Sequence, residues 1–232
     1  MRFLIQDDFW QLFPEARIGV VVARRLDNSE GERLDIAALL ADVAASAAAG
    51  LGEDIAAHPA VAPWRQAYQA FGVKPSKYRS SIESLLRSAR AGRIRSVNPL
   101  VDLYNAVSLR HWLPCGGEDL AALRGDIRLR RAIGGEHFVS LGAQEPEPPA
   151  PGEVIYRDDA GVICRCWNWR EADRTKLTPA TTDAFLCIEA LPPSDEAHLR
   201  AACDDLAALA REKLAGRASV ELLSRERPEI EI

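Results

Sequence analysis

The chain has 232 residues, 47% of them hydrophobic and 27% charged, with a formal net charge of −5. That is globular composition with enough length to bury a core unaided, and it excludes the disordered, fibrous and disulfide-stapled classes. No apolar run approaches the roughly 20 residues of a membrane span, and MRFLIQDDFW turns acidic where a secretory signal would stay apolar.

The expectation is therefore a cytoplasmic protein, one domain over 1–232, without membrane attachment. Five cysteines, at 115, 164, 166, 187 and 203, are odd in number and scattered, so they read as buried reduced thiols. Cys164 and Cys166 supply half a zinc site at most, because about four ligands are needed and no CxxC or HxxxH spacing completes the set. Neither a metal nor a cofactor is expected.

Along the chain, the Val-rich run RIGVVVARRL (17–26) predicts a buried strand. GERLDIAALLADVAASAAAG (31–50) and the region around HPAVAPWRQAYQAFG (58–72) predict helices closing at Gly50 and Gly72. Ser80-Ser81-Ile82-Glu83 reads as a capping box, with Ile82, Leu85, Leu86 and Ala89 as the buried stripe behind it. In SVNPLVDLYNAV (96–107), Asn98 caps a helix and Pro99 takes its first position. Leu100, Leu103, Tyr104 and Val107 form its apolar stripe, yet Asn98, Asp102 and Asn105 run as a polar seam along a helix that should be buried.

The texture then changes. DIRLRRAI, EHFVSLG, GEVIYRD, GVICRCWNW and AFLCIEAL are short apolar or alternating runs between Gly, Pro and Asp, which predicts a sheet-rich half with QEPEPPAPG (144–152) as an exposed loop. PPSDEAHLRAACDDLAALAREKLAG predicts a helix over about 195–215, capped by Ser194 and stopped at Gly216, with a partly disordered tail beyond.

Three groups of residues bear on chemistry. Lys74, Lys77, Arg79, Arg87, Arg90, Arg93 and Arg95 surround one acid, Glu83; they form either a phosphate-contacting surface or a solvated helix face. Read as an extended strand, GVICRCWNWR puts Arg165, Trp167 and Trp169 on one side and Cys164, Cys166, Asn168 and Arg170 on the other. Such indoles stack on bases or an aromatic ligand, or serve as core with Arg stems along them. Thr175, Thr178, Thr181 and Thr182 offer donors to a ligand or to local turns. His58, His111, His137 and His198 sit in no nucleophile motif, and GxSxG, P-loop and GxGxxG patterns are missing. Glu189, closing an apolar run, must be solvated at a strand end or find partners.

NPLVDLYNAV is similar to a helix motif reading approximately N-x-x-V-D-x-T-N-x-V in the paired third and fourth domains of the phenylalanyl-tRNA synthetase beta subunit. DIRLRRAIGGEHFVSL resembles that module's strand with alternate basic residues, and AFLCIEAL followed by PP its apolar strand ending in Glu. The resemblance spans about 15–193. It implies an α+β fold with a β-sandwich-like core and flanking helices, and an activity that hydrolyses tyrosine wrongly esterified to phenylalanine tRNA.

By the same resemblance, Asn105 matches the module's pocket asparagine and Glu189 its reader of the tyrosine hydroxyl, a buried acceptor that penalises a ligand lacking the group. Asp102 would set the helix, and Tyr104, Trp167, Asn168 and Trp169 would complete the substrate-binding wall. Three positions depart from the pattern: Tyr104 replaces a threonine, Pro114-Cys115-Gly116 replaces P-x-H and so lacks its histidine, and Trp167-Asn168-Trp169 stands at a double-glycine turn. His111, one turn before Cys115, is the nearest stand-in. The leading expectation is a tRNA-binding protein that takes aminoacyl-tRNA, with hydrolysis of mischarged ester as its enzymatic form. The alternative is a non-catalytic amino-acid or small-molecule binding module on the same scaffold.

Overall fold

A computed structural model describes residues 1–29 and 33–232; the first two residues of the helix expected over 31–50, Gly31 and Glu32, lie outside them. In chain order the elements are β1 (Arg2–Ile5), α1 (Asp7–Trp10), β2 (Arg17–Arg24), α2 (Arg33–Ala49), α3 (Ala62–Ala70), α4 (Ser81–Arg90), α5 (Pro99–His111), β3 (Cys115–Asp119), β4 (Ile127–Arg131) and β5 (Val154–Arg157). They continue with β6 (Val162–Arg165), β7 (Arg170–Glu171), β8 (Ala184–Ala190), α6 (Glu196–Leu214), β9 (Arg217–Leu223) and β10 (Glu229–Glu231).

The strands form two sheets, one in the order β10-β1-β4-β5-β6-β7 and one in the order β3-β8-β2-β9. Every residue of β8 is buried, which explains why it reads as an unbroken apolar run. Its inward residues Phe185 and Cys187, with Ile18, Val20 and Val22 of β2, share a core with Phe3, Ile127, Leu129, Tyr156 and Ile163 of the facing sheet. Phe3 meets Phe185 edge-on at 5.2 Å between ring centres. The opposite face, carrying Val21, Leu186 and Ile188, packs with Leu100, Leu103 and Val107 of α5 and Leu199 and Leu206 of α6. The fold is thus α+β, a two-sheet core with helices against it.

The start of α5 follows its sequence: the Asn98 side chain accepts from the Val101 amide at 3.1 Å, and Pro99 leads the helix. At α4 half of the expected capping box forms. Ser80 Oγ accepts from the Glu83 amide at 3.4 Å, but the fully buried Glu83 carboxylate turns to Arg65, Arg79 and Arg87. Charge pairing with three guanidiniums outweighs one further backbone hydrogen bond.

Four expectations are corrected. EHFVSLG makes only isolated bridges, Val139 with Pro146 and Ser140 with Ala172; Phe138 alone anchors it in a small core. The strand through GVICRCWNW ends at Arg165, because Cys166 and Trp167 adopt left-handed backbone (φ 46° and 65°) and turn the chain back into β7. The cap of α6 is Asp195, which accepts from the His198 amide at 2.8 Å, in place of Ser194. The tail is ordered: β9 pairs with β2 from Ile18–Leu223 to Arg24–Arg217, and β10 with β1. Both strands cover edges that would otherwise leave backbone groups unpaired. Among the described residues no helix is long and apolar enough to cross a membrane.

Candidate functional site

A cavity of about 220 Å³ opens between the two sheets. The inward side of β8 presents Phe185, Cys187 and Glu189 to it, and neighbouring β3 presents Gly116 and Glu118. Ile163, Cys164 and Glu171 of β6 and β7 form the opposite wall, the 166–169 turn adds Asn168 and Trp169, and α5 adds Tyr104 and Asn105. The structure therefore brings Tyr104, Asn105, Trp167, Asn168, Trp169 and Glu189 together around one cavity.

Glu189 is buried and doubly bonded. Tyr156 donates its hydroxyl to Glu189 Oε1 at 2.6 Å, and Asn168 donates its amide to Oε2 at 2.6 Å. Tyr68 of α3 donates in turn to Asn168 Oδ1 at 2.9 Å. The hydroxyl read by this carboxylate is thus the protein's own, leaving it about two further lone-pair positions. The Trp167 indole N–H faces the same carboxylate without reaching hydrogen-bond geometry. Burial pushes the Glu189 carboxyl up to about 7 against the pull of its donors.

A second acidic feature was not legible in the sequence. Glu171 Oε1 accepts from the Gly117 amide at 3.2 Å and lies over Gly116, where a Cβ would come within 2.6 Å of it. A carboxylate thus occupies the space above position 116. Burial pushes Glu171 up to about 7. Glu118 is pushed well above the usual carboxylate range, by burial first and by the charge of Glu171 second. Its Oε2 has no hydrogen-bond partner among the described residues, and the buried Thr175 hydroxyl faces it without bonding. Two nearby carboxyls, Glu118 buried and Glu171 half-buried, disfavour double ionisation, and a group titrating near 7 suits acid–base work.

The polar seam of α5 divides. Asp102 is fully buried away from the cavity and accepts from Ser96 Oγ at 2.5 Å and the Val97 amide at 2.8 Å, tying the incoming chain to the helix. Asn98 caps. Asn105 alone reaches the cavity, half-buried, and its amide makes no protein hydrogen bond among the described residues. Tyr104 borders the cavity too, its hydroxyl pushed up by burial and then by the charge of Glu171.

The two indoles differ. Trp167 is fully buried, with the rings of Phe9, Phe13 and Trp64 at 4.9, 4.8 and 4.9 Å; it meets the cavity from the aromatic core. Trp169 is half-buried at the wall, with the exposed Arg170 guanidinium 5.5 Å over its ring. His111 bonds Asp205 at 3.0 Å and is not on the cavity wall. Thr181 accepts from the Thr178 amide at 2.9 Å and donates to Asp119 of β3 at 2.7 Å, tying the 178–181 turn to that strand, and Thr182 donates to its neighbour Asp183 at 2.8 Å. All five thiols are buried and free.

Of the basic residues, Arg79, Arg87, Arg90 and Arg93 line a surface groove along α4 together with Ser84 and Ser88. Arg87 pairs with Glu83 at 2.9 Å and Arg79 at 3.7 Å, while Arg90 donates to the Glu53 carbonyl at 2.8 Å. Lys74, Lys77 and Arg95 are exposed but stand outside that groove. The first residue of α4, Ser81, lies on the cavity wall, and its amide donates to the Asn168 carbonyl at 3.0 Å. One helix therefore borders both features, about 14 Å separating its ends at 1.5 Å rise per residue.

The model of the B3/4 domain matches residues 63–214, and the chain belongs to that family. The resemblance carried by the α5 helix motif is a family relationship. Among solved structures, the chain is similar to an N-terminal fragment of the phenylalanyl-tRNA synthetase beta-subunit from Pyrococcus horikoshii, with 12% identity and a TM-score of 0.45. That similarity covers 93% of this chain and 49% of the other, so this chain spans about half the length of the fragment. No curated protein matches the chain.

Proposed function

We propose that this protein binds tRNA along α4, places the aminoacyl end in the cavity between the sheets, and hydrolyses the ester of a mischarged aminoacyl-tRNA. The observation that supports this is the continuity of α4, which carries Arg87 and Arg90 on the surface groove, with Arg93 just beyond its end, and Ser81 on the cavity wall. Guanidiniums on a groove displace counterions from a phosphate backbone, and about 14 Å is a reach of a few nucleotides at most.

In this reading the free Asn105 amide orients the ester, and Glu189 takes the proton of the attacking water, its carboxyl having been raised to about 7 by burial. Backbone donors at the β3 glycines stabilise the developing oxyanion.

A second reading, a non-catalytic binder of an amino acid or another small molecule, draws support from one observation: Tyr156 and Asn168 already occupy Glu189. The test is deacylation of a panel of mischarged tRNAs, run alongside equilibrium binding at low and moderate salt. Ester loss above the uncatalysed rate supports the hydrolase. Unchanged rates with salt-sensitive tRNA binding leave the binder, and no tRNA binding at low salt rejects the RNA reading.

A further inference from the structure

Glu118 and Glu171 face the cavity, and neither makes an ion pair among the described residues; the one guanidinium on the wall, that of Arg170, is turned over the Trp169 ring. Arg174, whose charge acts on Glu118, is bound to Asp158 at 2.8 and 3.0 Å. Arg170 is exposed and lies over Trp169. Glu171 holds a single donor, the Gly117 amide, and Glu118 Oε2 holds none. A buried carboxylate left in this state is costly unless a ligand completes it.

The rest of the wall shows what such a ligand looks like. Tyr104, Ile163, Trp169 and Phe185 offer apolar and aromatic surface. The fully buried Trp167 indole, also on the wall, adds aromatic surface, its N–H facing Glu189. An ammonium carries three donors and one positive charge, which suits the acidic pair. A free carboxylate entering the same space would meet three acids, Glu118, Glu171 and Glu189, against one guanidinium, Arg170, which is exposed at the mouth of the site.

We propose that Glu118 and Glu171 form a subsite for the α-ammonium group of an amino acid, and that the cavity accepts the amino acid only with its carboxyl esterified or amidated, rejecting the free zwitterion. This rests on the cavity being the aminoacyl site. It adds a direction to the proposed reaction: hydrolysis turns a net cation that the acidic wall holds into a product bearing a carboxylate that the wall repels, so release follows bond cleavage.

Burial favours the protonated form of both carboxyls, so an entering ammonium expels a proton to solvent. The groups facing the pair are Arg174, Asp158 and Thr175 around Glu118, and the Gly117 amide, Tyr104, Cys115, Cys164 and Glu189 around Glu171, with Arg170 on the same wall. The tyrosine and both thiols are pushed up by burial and stay neutral at pH 7.

The experiment is calorimetric titration of the full chain at pH 7 with L-phenylalaninamide, L-leucinamide and L-alaninamide. Each is compared with its free amino acid and with the amide that lacks the amine, 3-phenylpropanamide, 4-methylpentanamide and propanamide respectively. At least one amide is expected to bind about 10-fold or more tightly than both its free amino acid and its desamino counterpart. On the order of one proton should be released, read from the difference in heat between phosphate and Tris buffers. Glu118→Gln and Glu171→Gln should each abolish the preference, and Glu171, half-buried at a sheet edge, supplies the variant if Glu118→Gln fails to fold.

Equal affinity for amide, zwitterion and desamino analogue overturns the subsite, as does a preference that survives both substitutions. If mischarged tRNA is deacylated while the amide preference is missing, the subsite alone is wrong. If no amide binds and no ester is cleaved, the aminoacyl cavity falls with it, and tRNA binding is read independently.

Discussion

Glu171 Oε1 sits where a side chain at position 116 would begin, 2.6 Å from the Cβ that Gly116 lacks. The contacting atom is the far end of a flexible side chain, so Gly116→Ala should displace the carboxylate and leave the strand in place. The Gly117 hydrogen bond at 3.2 Å would break. Stability is expected to change by less than about 1 kcal/mol in urea titration, while the preference for amidated ligands falls towards the Glu171→Gln level. A large drop in stability with ligand preference intact would contradict this arrangement.

Burial raises the Glu189 carboxyl from an ordinary 4.5 to about 7, and the sign of its effect on stability follows. Between those values the folded chain binds more protons than the unfolded one, so this contribution is full below about pH 4.5 and is lost as pH rises through about 7. Glu189→Gln should flatten stability across that window, by on the order of 2 kcal/mol in the difference between pH 5 and pH 7.5 relative to wild type. The lowered carboxyl of Asp205 acts below this window, losing its contribution as pH falls under the usual Asp range. Parallel pH profiles for variant and wild type would show that Glu189 does not titrate there.

Trp167 and Trp169, two residues apart, should respond oppositely to removal. Trp167→Ala empties a site enclosed by Phe9, Phe13 and Trp64 and should cost about 3–5 kcal/mol in chemical denaturation. Trp169→Ala removes a half-buried ring at the cavity wall. It should cost about 1 kcal/mol or less and weaken ligand binding in the same titrations.

Glu83 is fully buried among Arg65, Arg79 and Arg87, so Glu83→Gln leaves three guanidiniums without their counter-charge. The expected loss is about 3 kcal/mol, visible as a lowered thermal midpoint. By contrast Arg90→Ala with Arg93→Ala, on exposed positions, should change stability by about 0.5 kcal/mol or less each. The same pair should lower the salt dependence of tRNA binding by a slope of about 0.7–0.9 for each phosphate no longer neutralised. An unaltered slope would remove the α4 groove from the RNA-binding surface.

Much of the scaffold was legible because its signals are local. Asn98-Pro99 and Ser80 mark helix starts whose hydrogen bonds span three residues, and β2 and β8 read as apolar runs because both faces are covered. β3 was not legible, since Cys-Gly-Gly-Glu-Asp has weak strand preference; it forms by pairing with β8, where a Cβ on Gly117 would clash with Leu186. EHFVSLG erred the other way, alternating like a strand but finding only isolated bridges. The alternation assumed through Trp167-Asn168-Trp169 failed at two left-handed residues, a conformation that neither Cys nor Trp advertises. The β9 and β10 tail was missed because its partners, β2 and β1, lie some 200 residues earlier.

By itself the amino-acid sequence determined the helix bearing Asn105, the strand bearing Glu189 and the basic character of α4, since each depends on residues within a few turns or strand positions of one another, and the α+β class came with the resemblance that its motifs carry. Only the tertiary structure decided that Tyr156 and Asn168 occupy Glu189, that Asp102 turns away from Asn105, and that Glu171 lies over Gly116 beside Glu118. The reason is physical: a carboxylate's partners and its proton affinity are set by what burial places around it, and around Glu189 and Glu171 those neighbours arrive from 21, 33 and 54 residues away along the chain.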